Sequence, residues 1–472
     1  MKIWIDVEDI FQYVMFSKRP SGIQRVVLEL QNALFELAPN DICFIRHDES
    51  VNSFKIVQRS EINIIFKDLS NKIDLIPNKY SENMLIASPR MSRIRRIGRQ
   101  LITFLPSEVA RQLRHFRTHQ VDALKCLHNA IKIYVRHILR RIIVKSYSLI
   151  IGSMKNSKSG QPNFDSVVMP GDWIISLGSP WNIEYYASMI RSTCAIHRLN
   201  FAVLLYDIIP IRRPEWCDYN LVRTFSAWFR DVVPLADQII AISHTTAKDA
   251  EEYAAEAGTK LKSSIATIPL GTGFGRAPTA VRTERLPPAG NFVLFVSTIE
   301  ARKNHALAFR IWRQLLASMP HEEVPTLVFA GRVGWLVADL MQQLKNADWL
   351  GGKIQLIEEP SDGELTALYE ECLFTFYPSL FEGWGLPVTE SLAHATPCLA
   401  ANISSLPEAG GTLVRYFDPD NFHDAYRAVR ELLEDRSGLA AWRTEIRENF
   451  RPISWRESGS GILHLLGKQM RK

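Results

Sequence analysis

The sequence predicts an α/β protein made of two Rossmann-like domains that face each other across a cleft. Short apolar runs alternate with amphipathic helical patterns from Trp173 to Thr245 and again from Phe292 onward. A Pro-, Gly- and Arg-rich stretch at 273–290 separates the two series as a linker. The 472 residues, 46% hydrophobic and 22% charged, suffice for two substantial cores. The expected organisation is a first domain at 1–272 with a helical insertion at about 88–159, a second domain at 291–452, and a last helix within 453–472.

Lys2 to Val7 reads as the opening strand. Ser21-Gly22-Ile23-Gln24-Arg25 leads into a helix with Val26, Leu30, Leu34 and Leu37 on one face. Gly22 lets backbone approach a ligand phosphate and Arg25 can reach one, although a lone glycine is also an ordinary turn residue. Further strands are expected at Ile42–Ile45 and Ile62–Phe66. The N-terminus, MKIWIDVEDIF, carries acids where a signal peptide needs an unbroken apolar core, and no run approaches the ~18 apolar residues of a membrane span. A cytoplasmic protein is the expectation.

The net charge of +6 is unevenly placed. Fourteen basic and two acidic residues lie between Arg90 and Lys145, a local +12 that leaves the remainder at −6. Leu127, Ile131, Tyr134, Ile138 and Ile142 repeat at helical spacing there, with Lys132, Arg136 and Arg140 on another face. Such a helix suits an anionic membrane surface, making the protein peripheral on the inner face of the cytoplasmic membrane, or packs with a solvated basic side. No stacking pattern or module for nucleic acid accompanies it. The six cysteines are scattered and no His/Cys cluster has metal-ligand spacing.

Past the insertion, strands are expected at Trp173–Ser176, Phe201–Tyr206 and Gln238–Ser243, with helices around Ile183–Leu199, at Tyr219–Leu235 and from Thr245. Asp207 lies just beyond a strand end, where open α/β sheets bind ligands, and serves either as a helix cap or as a contact to substrate. In the second series, Phe292–Ser297 runs into Glu300-Ala301-Arg302-Lys303-Asn304-His305 and a helix. Two cations before a helix start suit a diphosphate, and a solvated pair is the plainer alternative. Asp418-Pro419-Asp420 has the spacing of a metal-holding pair, but it comes after the sheet is complete and reads as a turn before a helix at Phe422–Leu433.

The most informative stretch is Phe374 to Gly411. A buried strand ends at Pro378, a loop carries Glu382, Gly383 and Gly385, and Leu386-Pro387 opens a helix expected to run to about Ala395. Glu382 and Glu390 then flank a helix N-terminus that favours an anion. Two solvated glutamates on an ordinary strand, turn and helix are the alternative.

Phe-Glu-Gly-Trp-Gly-Leu-Pro with seven residues between Glu382 and Glu390, followed by Ser405-Leu406-Pro407-Glu408, resembles the donor-site signature of family 4 of the retaining GT-B glycosyltransferases. The resemblance covers about 1–80 and 170–470. It implies transfer of a hexose from a nucleotide sugar to a glycan or lipid-linked acceptor with retention, as in bacterial mannosyltransferases of polysaccharide and O-antigen assembly. GDP-mannose is the first donor it suggests, then UDP-sugars or dTDP-rhamnose. It implies catalytic roles for Glu382, Lys303 and Asp207, and donor binding by Gly22, Arg25, Arg302, Lys303, Glu382, Gly383, Gly385, Leu386 and Glu390. Glu382 would hold sugar hydroxyls and Glu390 the ribose diol. No cofactor or metal is required beyond the nucleotide-sugar co-substrate. The last helix would cross back to the first domain.

Two positions depart from the family pattern. Tyr206 stands where a His is usual, and its hydroxyl is a possible substitute; Thr298 stands where an Arg is usual, so Arg302 would supply the second cation. A catalytically degenerate scaffold that binds a membrane or partner, and a nucleotide-sugar epimerase, are the alternatives from other classes. The absence of a Gly-x-Gly-x-x-Gly fingerprint counts against a nicotinamide enzyme.

Overall fold

The computed structural model of the protein describes residues 1–16, 22–48, 53–71, 163–183, 185–273 and 281–467. The chain divides into two compact units, residues 1–65 with 162–472, and residues 66–161. The basic stretch at 90–145 lies outside the described residues, as do residues 274–280 of the linker. Among the described residues no helix is long and apolar enough to cross a membrane.

The larger unit holds two sheets. The first is built from β1 (Ile3–Asp6), β2 (Ile42–Asp48), β3 (Ser53–Val57), β4 (Trp173–Ser176), β5 (Asn200–Leu205), β6 (Gln238–Ala241) and β7 (Ile265–Thr267), in the order β3-β2-β1-β4-β5-β6-β7. Only β3 runs antiparallel to its neighbour. The second holds β8 (Phe292–Val296), β9 (Thr326–Ala330), β10 (Ile354–Ile357), β11 (Thr375–Tyr377), β12 (Cys398–Ala401) and β13 (Arg415–Phe417), all parallel, in the order β10-β9-β8-β11-β12-β13. Strands such as IWID and CLAA are buried along their whole length because helices cover both faces of each sheet.

Both orders reverse direction beside their first strand: β1 sits between β2 and β4, and β8 between β9 and β11. At such a switch point the loops leaving two neighbouring strands splay apart and open a crevice at their carboxyl ends. The second sheet thereby places the loop after β8 beside the loop after β11. These loops carry the Arg302-Lys303 pair and Glu382, residues about eighty positions apart in the chain.

Ile62–Phe66, expected as a strand, lies instead in a helix, Arg59–Asn71. Ile62, Ile65, Phe66 and Leu69 recur at helical spacing, Ile62 is buried and Ile64 exposed, and the Gln58 backbone N–H donates to the Glu61 carboxylate at 3.3 Å. The strand in this part of the sheet is Ser53–Val57, paired with β2.

The Trp455–Leu465 helix opens with a capping box: Ser454 accepts from the Glu457 N–H at 3.2 Å while the Glu457 carboxylate accepts from the Ser454 N–H at 2.6 Å. It lies against the Gly22–Leu37 helix of the first domain. Gly459 permits the close approach, since a Cβ there would sit 3.1 Å from Ala33 Cβ. Trp455 caps the junction by donating its indole N–H to the Gly273 carbonyl at 2.6 Å.

Candidate active site

After β8 the chain makes a single tight turn, Ala301–Lys303, and Asn304 takes a left-handed conformation (φ 61°) before the His305–Ser318 helix begins. The turn aims Arg302 and Lys303 at the loop after β11. Lys303 Nζ meets Glu382 Oε1 at 2.5 Å and donates to the Tyr377 hydroxyl at 2.8 Å, and that hydroxyl donates to the same Oε1 at 2.9 Å. Arg302 Nη1 lies 2.8 Å from Glu382 Oε2, and Nη2 reaches Glu300 Oε1 at 2.7 Å. Glu382 is thus held on both oxygens by two cations, while the Ser404 hydroxyl accepts from its backbone N–H at 2.8 Å. Ser405 ties the loop by donating to the Glu382 and Trp384 carbonyls, both at 2.9 Å.

The electrostatics follow from this packing. Burial alone would raise the Glu382 carboxyl, but Arg302 and then Lys303 hold it down to about 2. Burial lowers Lys303 below an ordinary lysine, with Glu382 working against that shift. Burial pushes His305 to about 3, and Lys303 adds to the effect, so its ring is neutral beside the cations. Two cations and two carboxylates nearly cancel in charge. A lysine has three donors and Lys303 spends them on two described partners, which leaves a direction for a ligand oxygen.

The first domain approaches through the end of β5. Gly383 packs so closely that a Cβ there would lie 2.1 Å from the Tyr206 carbonyl oxygen and 3.0 Å from Asp207 Cβ. Thr246 bridges the same contact, its hydroxyl 3.2 Å from the Tyr206 carbonyl and 3.4 Å from that of Gly383. Asp207 Oδ1 accepts from the Ile209 N–H at 3.0 Å, so it does cap the turn that follows. It also lines a cavity together with Glu300 and Arg302. Burial raises its carboxyl, and Arg302 opposes the rise. The same carboxylate thus caps a turn and faces the cavity.

The remaining expected residues spread along this cleft. Gly22 faces the start of the Leu386–Ala393 helix, with its missing Cβ 4.0 Å from Leu386 Cδ1. That helix ends two residues before the expected Ala395. Gly385 sets its entry with φ 119°, a conformation that L side chains avoid. Arg25, expected to reach a phosphate, pairs across the cleft with Asp362 at 2.9 Å. Glu390, buried on the Leu386–Ala393 helix, accepts from the Tyr369 hydroxyl at 2.8 Å. The Tyr206 hydroxyl, a possible substitute for the usual histidine, donates to the Leu177 carbonyl at 2.7 Å in the first core. Asp418 and Asp420 form the expected turn, with the Asp420 N–H donating to Asp418 Oδ1 at 3.0 Å.

Glu300, Tyr377 and Glu408 were given no role from the sequence. Glu408 accepts from the His244 and Thr245 N–H groups at 2.7 and 2.8 Å, while Ser243 accepts from the Thr246 N–H at 3.0 Å. The first turn of the His244–Glu256 helix is therefore capped partly from the other domain. Its signal in the sequence is the Ser405-Leu406-Pro407-Glu408 run.

Residues 278–451 match the glycosyl transferases group 1 family. The matched stretch takes in the whole second sheet and the loops that carry Arg302, Lys303 and Glu382. Two Rossmann-like sheets with facing loop ends give the chain the GT-B architecture. The chain is 26% identical over 271 residues to a serotype-specific mannosyltransferase, WbdA of Escherichia coli, a match spanning 55% of the chain and 32% of that relative. It is 28% identical over 251 residues to the O-antigen chain mannosyltransferase B of Escherichia coli, covering 51% of the chain and 63% of the relative. Among solved structures it is similar to TarM, at TM-score 0.47 and 14% identity, over 63% of this chain and 55% of the other. The chain thus spans about a third to two thirds of the curated mannosyltransferases it matches.

Proposed function

We propose that the protein is a retaining, family 4 glycosyltransferase that moves a hexose, first of all mannose from GDP-mannose, to a hydroxyl of a glycan or lipid-linked oligosaccharide in cell-surface polysaccharide assembly. The observation that carries this reading is the convergence of Lys303 and Arg302 on Glu382 at the switch point of the second sheet, with Asp207 of the first domain opposite. The group 1 match of the second domain and the likeness to the two mannosyltransferases support it.

The donor diphosphate would lie over Lys303 and Arg302 and the N-termini of the His305–Ser318 and Leu386–Ala393 helices. The bond from anomeric carbon to β-phosphate oxygen breaks, and its electron pair leaves on the phosphate. The acceptor oxygen bonds to the same face of that carbon, and its proton passes to the departing oxygen. The site's contribution is fixed positive charge at the leaving group while Glu382 holds the sugar hydroxyls. Glu390 would take the ribose diol, with Tyr369 fixing its orientation. No metal is needed for this charge inventory, so turnover should persist in a chelator, and full dependence on added Mg²⁺ or Mn²⁺ would overturn that part. Attachment of residues 90–145 to anionic vesicles, read by co-flotation, tests the peripheral location.

The test is a panel of GDP-, UDP- and dTDP-sugars, scored for release of the nucleoside diphosphate and for transfer to saccharide acceptors. Lys303→Ala should cut turnover ~10²- to 10³-fold with the fold retained. Near-normal turnover in that variant would remove Lys303 from the mechanism. No release or transfer with any donor would favour a binding scaffold.

A further inference from the structure

Beside the Arg302, Lys303 and Glu382 cluster lies a cavity of about 180 Å³. Its polar end is formed by Asp207, Glu300 and Arg302, and the remainder is apolar, divided between aromatic and aliphatic side chains. Trp181, Trp216 and Trp228 come from the first domain and Trp335 from the second, four of the chain's eleven tryptophans in one wall.

The wall is stiff. Trp181 packs edge to face on Phe225 and Trp228, ring centroids 5.2 and 5.8 Å apart, and those two rings meet at a tilt of 53° with centroids 5.2 Å apart. Trp335 donates its indole N–H to the Trp216 carbonyl at 2.9 Å, so the second domain closes the chamber when it meets the first. Trp228 is buried, and its indole N–H has no hydrogen-bond partner among the described residues. A buried donor of this kind costs free energy unless something accepts from it.

The chemistry selects the occupant. Two carboxylates repel a phosphate, so the diphosphate does not enter. Aromatic faces carry negative quadrupole density and attract polarised C–H groups, as found on the apolar face of a pyranose, while Asp207 and Glu300 accept from hydroxyls. Drug-sized ligands need ~300–1,000 Å³, and this chamber fits a single ring. A lipid chain would leave the charged end unsatisfied.

We propose that this tryptophan-walled cavity seats one pyranose ring of a neutral saccharide acceptor, stacked on Trp216 and Trp335 with a hydroxyl at Asp207. The proposal rests on the transferase reading and names its acceptor class.

Saturation-transfer NMR with methyl α-D-mannopyranoside, methyl α-D-glucopyranoside and n-octanol tests it. Trp216 and Trp335 are the sites to vary because both stand on the rim and outside the sheets. Saturable binding of at least one glycoside is expected. Trp216→Ala and Trp335→Ala should each weaken it about tenfold, ~1.4 kcal/mol, while Trp216→Phe keeps most of it. Retained thermal stabilisation by a nucleoside diphosphate shows that the variants are folded. Absence of glycoside binding, equal binding by the alanine variants, or saturation of octanol alone would each overturn the proposal. Failure of the wild-type chain to release or transfer sugar from any nucleotide donor would instead remove the transferase reading, and that result is read without the tryptophan variants.

Discussion

Glu382 shows how one residue gathers structural and chemical roles. Its carboxyl titrates near 2 because Arg302 and Lys303 outweigh the burial that would raise it. The stabilisation it gives is therefore complete above the ordinary carboxyl value of 4.5 and is lost as pH falls through about 2. Glu382→Gln strands two buried cations and should cost ~3–5 kcal/mol at pH 7. Denaturant unfolding should show that gap narrowing towards pH 2, and a pH-independent gap would rule out the ion cluster as its source. Asp9 behaves in the opposite sense. Burial pushes its carboxyl up to about 7, although the Ser179 N–H donates to it at 3.0 Å. Between 3.8 and about 7 the folded chain holds a proton that the unfolded chain gives up. Stability should fall with rising pH across that window at up to ~1.4 kcal/mol per unit. Asp9→Asn should flatten that part of the profile, which urea midpoints at pH 5 and pH 8 would show.

At the scale of elements, two contacts between the domains depend on single positions. Gly383→Ala would place a methyl 2.1 Å from the Tyr206 carbonyl oxygen. Backbone cannot yield as a side-chain end can, so the loop after β11 must retreat from β5. Loss of turnover with an enlarged radius of gyration in X-ray scattering is expected, and unchanged values of both would mean that the contact is dispensable. Glu408→Ala uncaps the His244–Glu256 helix from across the cleft and should cost ~0.5–2 kcal/mol in chemical denaturation. Much at this scale was legible beforehand. The second βα series, the Pro387 helix start and the Asp418 turn follow from apolar runs and punctuating residues. Ile62–Phe66 was misread because four apolar residues in five look like a strand, whereas the period extending to Leu69 is helical. Ser53–Val57 has too few apolar residues to stand out, and only pairing with β2 makes it a strand.

The whole molecule is held by contacts distant in sequence. The Trp455–Leu465 helix buries Ile462 and Leu463 and presses Gly459 onto Ala33. Each such aliphatic side chain contributes ~1.5–3 kcal/mol. A chain ending at Pro452 should therefore melt lower and lose soluble yield, and wild-type melting would show that the helix is not needed for the fold. The sequence by itself determined the two-domain α/β class, the Phe374–Gly411 motif and the chemical type of its residues, because apolar period, glycine and proline positions and charge are local properties. Only the tertiary structure decided which charges meet. Arg25 turned to Asp362, the Tyr206 hydroxyl to Leu177, Glu390 to Tyr369, and Glu408 to a helix of the other domain. Four tryptophans dispersed between positions 181 and 335 share one wall for the same reason. Partners at such separations are chosen by strand order and by the approach of two sheets, and neither is written in any short stretch of chain.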